Sequence, residues 1–285
     1  MALLAELSFT KGHGTANDFI LISDVKNEWI PTVPQITWLC DRRRGVGADG
    51  VIRVVPTALV SEFADLAIAT WFMDYRNSDG SIAEMCGNGA RVFARYLVAS
   101  GLETKKEFVI ATRAGLHQVE VNSDFSVSIS MGVARKVANG SPITVTIPSS
   151  EVEFVAAGVY APNPHAVVYL PENVNLNDIE LGTPQVNPSE VFPDGVNIEF
   201  VKRMGPNHVA MRVVERGSGE TMSCGTGACA VAWVEMLEMG VSSGEVRVDV
   251  PGGTLWVSLV DQQLWLRGSA DLVARGKILL PPELL

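Results

Sequence analysis

Three short segments of this 285-residue chain occur twice, in the same order. Asn17-Asp18-Phe19 returns as Asn163-Pro164-His165, and Asp49-Gly50-Val51-Ile52 returns as Asp194-Gly195-Val196-Asn197. Cys86-Gly87-Asn88-Gly89-Ala90 returns as Cys224-Gly225-Thr226-Gly227-Ala228. The first and second segments lie 32 residues apart in one copy and 31 in the other, and the second and third lie 37 and 30 apart. One Cys-Gly-x-Gly-Ala alone carries little weight, because glycine-rich turns are common. Three ordered matches at similar spacing predict a duplicated domain, and at about 150 residues per domain the length accommodates two copies.

Between these segments the chain is mostly short apolar or alternating runs bounded by Gly, Asn, Asp or Ser, the signature of strands. Such runs are Phe19 to Ile22, Val51 to Val55, Ala67 to Met73, Phe108 to Ala111, Val127 to Met131 and Ile143 to Ile147. Ala166 to Leu170, Asn197 to Val201, Val209 to Val214, Val246 to Val250 and Leu255 to Leu259 continue the series. Two strong helices are expected, one from Cys86 to a stop at Gly101 and one from Cys224 to Gly240, each closed by a glycine of the kind that ends helices. A weaker helix is expected over Val33 to Arg43. Strands and helices do not alternate at βαβ spacing, which argues against a doubly wound parallel sheet. The expected class is α+β, with two pseudo-symmetric duplicated lobes.

Composition narrows the function. The chain carries 22 Lys+Arg against 32 Asp+Glu, a net charge of −10, which disfavours nucleic acid or an anionic membrane as partner. Its 47% hydrophobic content excludes a disordered chain. No apolar run reaches the ~18 residues that span a bilayer. Met1 to Phe9 carries Glu6 and no basic stretch, so no secretory signal is expected. Four cysteines do not make a disulfide scaffold, so the expected setting is reducing and cytoplasmic, with free thiols.

The repeated element of greatest chemical interest is a cysteine at a glycine-rich helix start. Exposed N–H groups and the helix dipole there favour an anion and a thiolate. The N–H groups of Gly87, Asn88, Gly225 and Thr226 are suited to bind a carboxylate from two sides and to stabilise charge developing on it. Two copies facing one another place Cys86 and Cys224 on opposite sides of a shared cleft. One thiolate and one thiol in that arrangement suit inversion of a carbon that bears a proton: one sulfur removes it and the other delivers a proton to the opposite face.

The longer stretches Met85-Cys86-Gly87-Asn88-Gly89-Ala90-Arg91 and Glu215-Arg216-Gly217-Ser218-Gly219-Glu220-Thr221-Met222-Ser223-Cys224-Gly225-Thr226-Gly227 resemble the two signatures of the diaminopimelate epimerase family. Gly12-His13-Gly14-Thr15-Ala16-Asn17-Asp18-Phe19, Tyr75-Arg76-Asn77-Ser78-Asp79-Gly80 and Gly195-Val196-Asn197 resemble further motifs of that family. The resemblance covers nearly the whole chain in order. It implies interconversion of LL- and meso-diaminopimelate, in the route to lysine and peptidoglycan precursors, without cofactor or metal. It also implies two lobes, each a strand-rich barrel around a central helix that begins at the cysteine motif. On that basis residues 1–131 form the first lobe, with a C-terminal return over 270–285, and residues 132–269 form the second. Carried over by resemblance, Cys86 and Cys224 are the acid–base pair. Asn17, Asn77, Asn163, Asn197, Glu215 and Arg216 line the substrate site, Arg216 as a clamp for the distal carboxylate and Glu215 beside the ammonium of the reacting carbon. His165 supports the nearby thiol. The partner is thus a small-molecule substrate, and association into a homodimer is left open.

The chain departs from the family pattern at a few positions. Gly50 stands where many members have a side-chain amide, and Pro162 precedes Asn163 where Gly is usual. Val92 follows Arg91 where many have another cysteine, and Ser218 replaces a common aliphatic residue. Other conspicuous residues have plainer explanations. Cys40 and Cys229 fit core packing, as do His13, His117 and His208 surface or structural positions. Arg42-Arg43-Arg44 fits a solvated face, and Asp49 and Asp194 fit strand-opening turns. No Cys or His pair has metal-ligand spacing. The alternatives are a cysteine-based proline or hydroxyproline racemase or epimerase, a thiol redox protein that switches at Cys86 and Cys224, and a binding module without turnover.

Overall fold

The structure is a computed structural model and describes residues 6–137, 142–150 and 152–284. Residues 1–5 of the start expected to lack a signal lie outside them. The fold is mixed and strand-rich, and the chain divides into two compact units, Met1–Ile129 with Ser269–Leu285, and Ser130–Gly268.

The first unit contains β1 (Glu6–Gly14), β2 (Asn17–Ser23), α1 (Val33–Cys40), β3 (Gly50–Pro56), β4 (Trp71–Asn77), α2 (Gly87–Ala99), β5 (Glu107–Thr112) and β6 (Gly115–Val121). β7 (Val127–Gly132) leads out of it. The second contains β8 (Arg135–Lys136), β9 (Ile143–Thr146), β10 (Phe154–Tyr160), β11 (Pro164–Tyr169), β12 (Gln185–Asn187), β13 (Asn197–Gly205), β14 (His208–Glu215), β15 (Gly219–Thr221), α3 (Gly225–Glu238), β16 (Gly244–Val250), β17 (Gly253–Val260) and β18 (Gln263–Gly268). The chain then returns to the first unit as β19 (Asp271–Leu279), which pairs antiparallel with β1.

The same succession of pairings recurs in both units. In the first, β1–β2 is antiparallel, β2–β3 parallel, β3–β4 antiparallel, β4–β5 parallel and β5–β6 antiparallel. In the second, β10–β11 is antiparallel, β11–β13 parallel, β13–β14 antiparallel, β14–β16 parallel and β16–β17 antiparallel. Register corrects one detail of the sequence match. Phe19 lies opposite Gly50 in the first parallel pair, and His165 lies opposite Asn197 in the second. Gly50 therefore corresponds to Asn197 and not to Gly195. The two extra residues belong to the turn before β13, where Gly195 has φ +82°. A second correction concerns Ala67 to Met73. Only its end is strand, because a 3-10 segment over Ser61–Leu66 precedes β4, which starts at Trp71. Helix α1 ends at Cys40, before the charged run, and is opened by a capping box at Thr32 and Gln35.

Helices α2 and α3 are buried over most of their surface. In α2 every residue from Gly87 to Ala94 is buried, with Tyr96 and Leu97. α2 packs against β1, β2, β3, β4, β6 and β19, and α3 packs against β10, β11, β13, β16, β17 and β18. α3 is apolar nearly all round and belongs in such an interior, whereas α2 also buries Arg91, which is hydrogen-bonded there. Gly101 (φ +74°) and Gly240 (φ +70°) follow their last turns, as the sequence predicts.

Glycine inside a helix costs about 1 kcal/mol relative to Ala, and close approach explains its presence here. A Cβ on Gly89 would lie 3.0 Å from Met73 Cε and 3.2 Å from Ile52 Cδ1, and one on Gly227 would lie 2.6 Å from Glu199 Oε1. The strands thus press directly on each helix start.

A buried ion cluster anchors β3 and β4. Arg53 Nε meets Asp74 Oδ2 at 2.9 Å, and its Nη1 meets Asp24 Oδ2 at 2.9 Å and Asn27 Oδ1 at 2.8 Å. Burial alone would raise the Asp74 carboxyl, but Arg113, Arg53 and Arg76 together hold it below its ordinary value. Arg53→Met should destabilise the protein by about 3–5 kcal/mol in urea unfolding, because Asp24 and Asp74 lose their shared cation. Since the Asp74 pKa is depressed on folding, its stabilisation is whole above the unfolded value of about 3.9. It is lost as pH falls through the lower folded value, and acid titration of wild-type unfolding should show this loss.

Candidate functional site

In the first unit, Cys86 is the N-cap of α2, with extended backbone (φ −135°, ψ 116°), and its sulfur accepts the Gly89 N–H at 3.5 Å. Cys86 Sγ lies 3.7 Å from Asn17 Oδ1, which also accepts from Asn88 Nδ2 at 3.4 Å. Asn17 is held in turn by Asp49, whose Oδ2 accepts from Asn17 Nδ2 at 2.8 Å and from the Asp18 N–H at 3.1 Å. Arg42 bridges the acids, reaching Asp18 at 2.7 Å and Asp49 at 2.8 Å. Lys11 meets Asp18 at 3.0 Å. Burial would raise the Asp18 carboxyl, yet hydrogen bonds from Arg42 and Lys11 hold it well below the usual carboxylate range. Asp49 and Arg42, assigned from sequence to a turn and a solvated face, therefore position Asn17.

The helix start is fixed from behind by Arg91, a fully buried side chain. Its guanidinium donates to Gly87 O at 3.3 Å, to Thr15 Oγ1 at 3.2 Å and to Ser269 O at 3.4 Å. Asn77 stands at the end of β4, opposite Gly50, and donates to Ser81 Oγ at 3.0 Å. The Tyr75 ring fills the place that a side chain at position 50 would take, with Cε2 2.6 Å from an ideal Cβ there. Asn17, Cys86, Gly87 and Asn88 are thus brought together at the helix start. Asn77 is reached from them through Asp49, whose carbonyl accepts the Ser78 N–H at 3.0 Å.

In the second unit Cys224 caps α3 with similar backbone (φ −124°, ψ 114°). Its surroundings differ. Burial pushes the Cys224 thiol well above its ordinary value, and the nearby charges of Glu215 and Glu199 push it the same way. The Thr226 hydroxyl, 3.4 Å from the sulfur, opposes them. Glu215, hydrogen-bonded to the Cys224 thiol, accepts from Thr221 Oγ1 at 2.5 Å. Burial raises the Glu215 carboxyl.

Asn197 Oδ1 accepts the Arg216 N–H at 2.9 Å, which fixes the chain just after Glu215. The Arg216 side chain lies across Gly195, donates from Nη1 to Asp194 O at 2.9 Å and is exposed. Asn163 follows the cis Ala161–Pro162 bond, and its Oδ1 lies 2.8 Å from His165 Nε2. His165 Nδ1 is 2.7 Å from Glu199 Oε1, and neither side chain has any exposed surface.

Sequence reasoning missed Glu199. The signal was present, because Glu199 lies two residues after Asn197 on one strand and so projects to the same face. Cys40 and Cys229 are buried, and burial, with the charges of Asp18 and Asp49, takes the Cys40 thiol up to about 12. Among the described residues, no group of three or more His, Cys, Asp or Glu side chains is arranged to hold a metal ion, and no helix is long and apolar enough to cross a membrane.

Comparison with known proteins identifies the family. The family model for diaminopimelate epimerase matches residues 9–137 and 158–273. The chain is 44% identical over 279 residues to a diaminopimelate epimerase of Streptomyces coelicolor, covering 95% of each chain. It is 42% identical over 287 residues to one of Mycobacterium leprae, again covering 95% of each. Among solved structures, a PhzF-family phenazine biosynthesis protein of Bacillus anthracis superposes with a TM-score of 0.69 at 15% identity, over 97% of this chain and 100% of that one. A hydroxyproline epimerase of Agrobacterium vitis superposes with a TM-score of 0.63 at 15% identity, over 98% and 94%. At such low identity these two share the fold alone. With the family model and close relatives both spanning nearly its full length, this chain belongs to the diaminopimelate epimerase family.

Proposed function

We propose that this protein interconverts LL-2,6-diaminopimelate and meso-diaminopimelate by two-base proton transfer at one α-carbon, with Cys86 and Cys224 as the acid–base pair. The observation that carries this reading is one cysteine capping a buried, glycine-rich helix start in each of two units with the same order of strand pairings. Family membership supplies the substrate. The mechanism requires both sulfurs to reach one carbon from opposite faces. The N–H groups of Gly87, Asn88, Gly225 and Thr226 then hold the carboxylate of the reacting carbon and stabilise the charge that develops there. Glu215 pairs with the ammonium beside that carbon. Asn17, Asn77, Asn163 and Asn197 orient the two amino-acid ends, and Arg216 binds the distal carboxylate as a fork. For the last role its guanidinium turns from Asp194 O to the ligand.

The same proposal covers organisation and setting. Residues 1–131 with 270–285, and residues 132–269, are two copies of one barrel-like lobe around a central helix. The shared order of pairings supports this. A content of only four cysteines in 285 residues supports a reducing, cytoplasmic setting.

The two thiols should differ in reactivity. Cys86 is half-buried at a helix start, whereas Cys224 is 4% exposed and surrounded by acids. Iodoacetamide followed by peptide mapping should label Cys86 first and Cys224 at least about tenfold more slowly. Glu215→Gln should narrow the gap by relieving Cys224 of a neighbouring negative charge.

Turnover in deuterated solvent tests the reaction itself. Starting from LL-diaminopimelate, early deuterium should appear almost wholly in the meso product, while recovered substrate stays protiated. Cys86→Ala and Cys224→Ala should each lower kcat/KM about a thousandfold or more, since each removes the acid or base of one face. Equal early labelling of both stereoisomers would sink the two-base assignment. Turnover of proline in place of diaminopimelate would favour the racemase alternative.

A further inference from the structure

Beneath the first turn of α3 lies a pair of ionisable side chains with no counterpart in the first unit. His165 and Glu199 are wholly buried, 2.7 Å apart through Nδ1 and Oε1. The other ring nitrogen, Nε2, lies 2.8 Å from Asn163 Oδ1. Both ring nitrogens thus face acceptor oxygens. A neutral imidazole has one N–H and satisfies one of them; an imidazolium satisfies both. The carboxylate makes the same demand, because Glu199 Oε2 has no hydrogen-bond partner among the described residues. A buried carboxylate in that state needs a cation beside it. The other titratable groups that face the pair, Glu215 on β14 and Cys224 at the start of α3, are both acids.

The first unit shows that folding does not call for such a pair. Phe19 corresponds in register to His165, and Ile52 to Glu199. Both are 0% exposed and lie against Gly89, as Glu199 lies against Gly227. Two hydrocarbon side chains fill the same place that a buried ion pair fills in the second unit.

We propose that Glu199 is a positioning residue. It holds His165 as an imidazolium, whose Nε2–H fixes the Asn163 amide with its oxygen inward and its NH2 turned to the ligand. Asn163 is then presented as a donor, suited to a carboxylate. Its contact with substrate rests on the function proposed above; the charge on His165 does not.

Nitrogen NMR of the histidine-labelled, ligand-free protein tests this, with signals assigned by replacing His13, His117 and His208 one at a time. At about pH 8 an ordinary histidine, with a pKa near 6.5, is neutral. His165 should still carry protons on both ring nitrogens. In Glu199→Gln one of those protons should be lost, and in Glu199→Asp, which keeps the charge, both should remain. With diaminopimelate, Glu199→Gln should raise KM about tenfold and change kcat less, and Glu199→Asp should recover most of the loss. A singly protonated His165 in the wild-type protein overturns the proposal, as does an Asn163 NH2 bonded to the ring. An unchanged KM in Glu199→Gln protein whose His165 has become neutral overturns the positioning role. If Glu199→Gln does not fold, the wild-type and Glu199→Asp spectra still decide the charge. Wild-type protein inactive on diaminopimelate would refute the function while leaving the histidine result intact.

Discussion

A helix enclosed by strands has nowhere to send the N–H groups of its first turn, and in each unit of this protein a cysteine stands at that end. A buried polar group left unsatisfied costs about 1–3 kcal/mol, so the first turn needs either acceptors of its own or a ligand. In α2 the Cys86 sulfur answers part of the need by accepting from Gly89. The strands beneath press so closely that a side chain at position 89 or 227 would meet them at 3.2 Å or less. Glycine is therefore required where helix propensity disfavours it. One constraint, an enclosed helix start under close strands, accounts together for the cysteine cap and the glycines.

The two copies of this arrangement share their backbone and differ in their electrostatics. Cys86 is half-buried beside Asn17, which is bonded to Asn88, and the acids behind Asn17, Asp18 and Asp49, are tied to Arg42 and Lys11. Cys224 is buried beside Glu215 and Glu199, and burial with that negative charge favours the protonated thiol. Below α2 the floor is Phe19, Ile52 and Met73, and Tyr75 packs edge-on against Phe19 at 5.7 Å. Below α3 it holds a carboxylate and an imidazole.

Much of this was legible in the chain. The cysteine motifs marked both buried helices, Gly101 and Gly240 marked their ends, and most alternating runs became strands. The strands that escaped notice, such as Gly115–Val121 and Asp271–Leu279, mix charged and apolar residues and lack a clean period of two. Ala67 to Thr70 was misread because an apolar run of that length fits a strand or the end of a 3-10 turn equally well. Asp49 and Glu199 escaped as site residues for a different reason. Each contacts a partner 32 or 34 residues away, Asn17 for Asp49 and His165 for Glu199; the i, i+2 spacing from Asn197 gave the face on which Glu199 lies, but no local spacing gives the partner.

What the sequence determined by itself was the kind of chain this is. Its repeats set out two copies of one pattern, its motifs placed a thiol at each helix start, and its resemblance named the family. Only the tertiary structure decided how those copies differ. Register moved the counterpart of Gly50 from Gly195 to Asn197, and so set Ile52 against Glu199, next to the Phe19–His165 match that the repeat already gives. The physical reason is that a strand's hydrogen-bonded register and the side chains it brings under a helix depend on partners distant in sequence. A shift of two residues leaves the local pattern intact, yet it changes which side chain lies beneath the first turn of the helix.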